Sequence, residues 1–91
     1  MNKKRCLLIK DSFSNDAYLY ERFGSGPQKF IAKLNDLETI AKKIDLTKAQ
    51  AFELLLELIR KRAEKTKKPD IKERMELILF DPYLYFGIDG I

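Results

Sequence analysis

Thr47–Arg62 reads TKAQAFELLLELIRKR, and the spacing of its apolar residues decides what kind of fold this chain can adopt. Phe52, Leu55, Leu56 and Ile59 recur at steps of three and four, the period of a helix face, while Ala51, Leu54 and Leu58 widen the stripe beyond one face. A helix apolar on most of its sides needs neighbours over its middle, supplied by the same chain or by a second copy. Its last turn, Arg60, Lys61 and Arg62, stays in water.

Working outward, Thr47 and Gln50 have the spacing of a capping box, and the same grammar recurs at Ser25 with Gln28 and at Asp70 with Glu73. These starts lie 22 and 23 residues apart, a match that consecutive helices of similar length produce by chance more readily than a true repeated helical unit does, since such repeats run about 33–47 residues. Four helices follow. The first runs from about Asn15 to Phe23, entered through Ser14 with Phe13 and Tyr18 at hydrophobic-staple spacing and ended by Gly24. The second spans Pro27 to Lys43, with a seam of Phe30, Leu34, Leu37, Ala41 and Ile44; the third spans Lys48 to Lys65. The fourth, Ile71 to Phe80, follows the break at Pro69 and stops at Asp81-Pro82. GSGP at Gly24–Pro27 then reads as a helix-to-helix turn. Lys4–Lys10 fits a short strand or a helical turn, and its plausible strand partner is the tail Tyr83–Ile88. The expected fold class is mainly α: one domain over residues 1–91, a compact bundle of about four helices with a local helix-turn-helix-like pair and an optional short pairing of N- and C-terminal strands. The ends, 1–4 and 87–91, are read as frayed.

A hydrophobic share of 45% is ample for a core, although a domain of this size buries only about 60–65% of its unfolded surface. Self-association would relieve that shortage, so a homodimer is expected. The lone Cys6 can form no internal disulfide and reads as an inert half-buried thiol. Cys6–Ile9 is too short for a signal-peptide core, and no apolar run approaches the roughly 18 residues that span a bilayer. A cytoplasmic protein without a membrane partner is the expectation.

The chain has no histidine, which removes the commonest general base and metal ligand. No CxxC, phosphate-cradling glycine loop or spaced carboxylate cluster replaces it. The chain is therefore read as a non-enzyme with no metal, cofactor or small-molecule substrate. Its net charge of +4 is concentrated in two basic regions, residues 1–10 and 60–74, around an almost neutral centre.

Leu37–Leu58, LETIAKKIDLTKAQAFELLLEL, resembles the helix-turn-helix pattern of DNA-binding proteins, with Ile40, Ala41, Ile44, Leu46, Ala51 and Leu54 at that family's buried positions. Asp45 stands where the family has its turn glycine. LTKAQA, Leu46–Ala51, is also similar to the N-terminal helices of the HU/IHF family of histone-like proteins, whose basic β-arms and glycine-phenylalanine motif this chain lacks. The HU/IHF likeness therefore carries no function over; the helix-turn-helix resemblance implies DNA as a partner, but Phe52, Glu53 and Leu56 on the outward face of the third helix are unsuited to reading base edges. The candidate nucleic-acid contacts are instead phosphate clamps: Arg60, Lys61, Arg62, Lys65, Lys67, Lys68, Lys72 and Arg74, with Lys3, Lys4 and Arg5 as an additional arm. The alternative is a protein-binding adaptor or inhibitor, with Phe52, Leu56, Tyr18, Tyr20, Phe23, Tyr83, Tyr85 and Phe86 as interface candidates. These aromatics lie away from the 60–74 run, so the sequence offers no obvious platform for stacking bases.

Overall fold

The heptapeptide AYLYERF, Ala17–Phe23, is where structure and expectation part. In the computed structural model, which describes residues 5–11 and 16–88, it is a strand. Leu19 pairs with Ile9 and Tyr20 with Leu8, so Ala17, Leu19 and Glu21 share one face while Tyr18, Tyr20 and Arg22 share the other. The glycine that suggested a helix end instead serves a hairpin. Gly24 takes φ 58°, and the Gly26 amide donates to the Phe23 carbonyl at 3.0 Å. GSGP therefore turns the chain from strand to strand, not from helix to helix.

The elements in order are β1 (Arg5–Asp11), β2 (Ala17–Phe23), β3 (Lys29–Lys33), α1 (Leu37–Lys43), α2 (Lys48–Lys65), α3 (Pro69–Phe80) and α4 (Pro82–Phe86). The strands form one antiparallel sheet in the order β1–β2–β3. The architecture is thus α+β, which overturns the mainly α bundle of about four helices. The helix expected over Pro27–Lys43 divides into β3 and α1. Asp36 starts α1, its carboxylate accepting from the Thr39 amide at 3.2 Å. β1 pairs with β2 instead of the tail, and the tail segment 82–86 is helical.

Of the three proposed capping boxes, Thr47–Gln50 forms. The Gln50 amide donates to the Thr47 hydroxyl at 3.1 Å and the Thr47 amide to the Gln50 side chain at 3.0 Å. Ser25–Gln28 precedes a strand, and α3 opens with Pro69 at its first position, where a missing N–H costs nothing. The apparent repeat loses its basis. Gly87, at φ 66°, ends α4, with the Ile88 amide donating to the Tyr83 carbonyl at 3.0 Å. The Ser14 cap with Phe13, the Lys3 and Lys4 arm and the ends 1–4 and 89–91 lie outside the described residues.

A β-bulge shapes the sheet. Leu19 faces Ala32 and Tyr20 faces Phe30, which leaves Ile31 as an extra residue on β3. Ile31 and Ala32 are both buried although they are neighbours, an outcome that strict alternation forbids. The helices cover this inner face. Leu19, Leu34 and Ile40 are fully enclosed with Leu55 and Ile59 of α2 and Met75 of α3, and Ile78 and Phe86 close the end of the core. Burying Leu55 and Ile59 alone contributes roughly 1.5–3 kcal/mol each.

Candidate nucleic-acid interface

With one face of the sheet packed on helices, the other is left bare among the described residues. It carries Leu8 and Lys10 from β1, Tyr18, Tyr20 and Arg22 from β2, and Phe30 from β3. The register makes these residues neighbours: Lys10 lies opposite Tyr18, and Leu8 and Phe30 lie on either side of Tyr20. The rings form a cluster, with Phe30 centred 6.0 Å from Tyr18 and 5.6 Å from Tyr20. Phe30 is 54% exposed, a large apolar area for a position with no packing partner above it.

Cations border the rings. Lys10 Nζ lies 5.2 Å from the centre of Tyr20 and Lys43 Nζ lies 5.9 Å from the centre of Phe30. Lys43 is carried there by the last turn of α1 and held by donating to the Ile31 carbonyl at 2.6 Å. Lys33 is paired in register with Tyr18, and its ammonium lies 3.8 Å from Asp16. None of the described strand residues on this face is acidic; Glu21 turns to the opposite side and pairs with Arg5 at 3.2 Å. Sequence reading missed the arrangement because Lys10, Tyr20, Phe30 and Lys43 belong to four different elements, united only by strand pairing and by the Lys43 hydrogen bond from α1 to β3.

No protein family, curated protein or solved structure matches this chain.

The basic cluster expected to clamp phosphates is partly spent inside the molecule. Arg62 donates to Asp11 at 2.7 Å and Arg74 donates to the same carboxylate at 2.9 Å. Both are half-buried and tie α2 and α3 to the end of β1. Lys61 pairs with Glu57 at 3.4 Å, one helical turn back. Arg60, Lys61, Lys65, Lys67, Lys68 and Lys72 remain exposed.

The interface candidates also separate. Phe52 is buried beneath Tyr83 and Phe86, with ring centres at 5.3 and 5.6 Å, and Leu56 is half-buried against the core. The dimer seam read from the third helix is therefore filled from within the chain, and nothing here supports a homodimer. Phe23 sits on the helix-facing side of β2 with the Arg5 guanidinium 5.5 Å from its ring. Phe86 is buried and Tyr85 half-buried, whereas Tyr83 remains exposed. Unforeseen is an apolar ridge on α3 and α4 that includes Phe80 and Leu84, 80% and 78% exposed.

Among the described residues no group of His, Cys, Asp and Glu could hold a metal ion, and no helix is long and apolar enough to cross a membrane.

Proposed function

We propose that this protein is a non-catalytic, cytoplasmic binder of single-stranded nucleic acid, and that the open sheet face is the binding surface. The observation that carries the reading is the clustering of Tyr18, Tyr20 and Phe30 between Lys10 and Lys43 on a face without acidic strand residues. Unstacked bases gain about 1–3 kcal/mol each on such rings, and the ammonium groups are placed to meet the phosphates between them. An open three-stranded face bearing exposed rings suits a splayed single strand better than a duplex, whose bases are already stacked. The exposed Lys67, Lys68 and Lys72 add long-range attraction without discrimination.

The test is fluorescence anisotropy with labelled oligothymidine and oligouridine at low salt. Tyr20→Ala with Phe30→Ala should weaken binding by about tenfold or more, because both rings lie outside the core. Lys67→Glu with Lys68→Glu should mainly flatten the salt dependence. Unchanged affinity in the double alanine variant, or no binding at low salt by the wild-type chain, would overturn the proposal.

A further inference from the structure

β1 and β3 are the two edges of the sheet, and they are guarded unequally. Natural sheets blunt an open edge by shortness, bulges, prolines and charge, because unpaired N–H and C=O groups recruit other strands. β3 has these devices: five residues, the Ile31 bulge, Lys29 and Lys33 at its ends, and Pro27 just ahead. β1 has none of them between Cys6 and Ile9. Its seven residues run in unbroken register from Arg5 opposite Phe23 to Asp11 opposite Ala17.

Beside β1 lies a groove of about 390 Å³. Leu7, Leu8 and Ile9 line one wall, and Leu58, Lys61 and Lys65 of α2 line the other. Successive strand side chains point to opposite faces, so a groove touched by three in a row follows the backbone edge and not one face of the sheet. Its floor is apolar, its α2 rim is cationic, and no described carboxylate lines it.

We propose that this edge accepts an extended segment of a partner protein as a fourth strand, and that the segment alternates acidic with apolar residues. Its main chain completes the hydrogen-bond ladder of β1; its carboxylates, all on the face turned to α2, reach Lys61 and Lys65, and its apolar side chains, on the opposite face, lie against Leu8. A second copy of β1 is a poor occupant: whichever face it turned toward α2 would bring a cation, Arg5 or Lys10, against those lysines, and its one carboxylate, Asp11, is already held by Arg62 and Arg74. Nucleic acid is drawn by the same charges but cannot supply a peptide ladder. The site meets the open face only at Leu8 and shares none of the aromatic rings Tyr18, Tyr20 and Phe30.

Binding of a short fluorescein-labelled peptide alternating glutamate and valine to the full chain tests this, together with two versions N-methylated on alternate amides. One N-methylated version should lose at least about tenfold in affinity while the other stays within about twofold, since only every second amide faces the edge. Lys61→Glu with Lys65→Glu should also weaken binding about tenfold, and as both side chains are exposed the fold should be retained, as checked by circular dichroism. Equal affinity for both N-methylated peptides would reduce the contact to ionic adsorption and overturn the proposal. So would absence of peptide binding, or self-association through β1 that the peptide fails to displace. Oligonucleotide binding is read in its own assay, so failure at this edge and failure of the sheet-face reading are distinguishable.

Discussion

Asp11 joins three elements through one carboxylate. Its side chain is only 11% exposed and accepts from both Arg62 and Arg74. In the sequence those arginines look like members of a solvent-facing charge run, because their partner lies 51 and 63 positions away. Spacing rules reach three or four residues along a helix and cannot see such a pair. Removing the carboxylate leaves two guanidinium groups without it in a half-buried setting. Asp11→Ala should therefore cost about 2–3 kcal/mol, read from the midpoint and slope of chemical denaturation. A loss below about 0.5 kcal/mol would place the pair among inconsequential surface contacts.

At the scale of elements, the α1–α2 pair shows what local pattern can convey. Thr47 and Gln50 encode the start of α2 within four residues, and α2 occupies Lys48–Lys65 as its periodicity indicates. Asp45, in the turn between α1 and α2, adopts φ 59°, and the Leu46 amide donates to the Ala41 carbonyl at 2.9 Å. Aspartate tolerates this left-handed geometry better than most residues, but glycine adopts it without steric cost. Asp45→Gly should accordingly stabilise the chain by up to about 1 kcal/mol, and Asp45→Val should destabilise it by about 1–2 kcal/mol, in thermal melts. The reverse ranking would refute a strained turn. The strands are less legible for a physical reason. In AYLYERF both faces carry large apolar or amphipathic side chains, so alternation is blurred and the segment satisfies helical spacing as well.

For the molecule as a whole, Tyr85 reports how α4 closes on the body. Burial raises its pKa from 10.0 to about 12, and the negative charge of Asp16 adds to the rise. Above about pH 10 the unfolded chain loses this proton while the folded chain keeps it. The stability linked to Tyr85 is thus fully present below pH 10 and lost as pH climbs toward 12. Denaturant titrations across that range should show a shallower alkaline decline for Tyr85→Phe than for wild type; identical slopes would mean that Tyr85 titrates alike in both states. Taken alone, the sequence determined the central amphipathic rod, its capping box and the short turn that precedes it, because each depends on residues a few positions apart. Tertiary structure decided that Ala17–Phe23 and Lys29–Lys33 are strands, that Phe52 is roofed by the tail, and that Lys10, Tyr20, Phe30 and Lys43 share one face. Those outcomes depend on pairing between distant segments and on which face the helices cover, and the free energy of such contacts is not written in any local spacing.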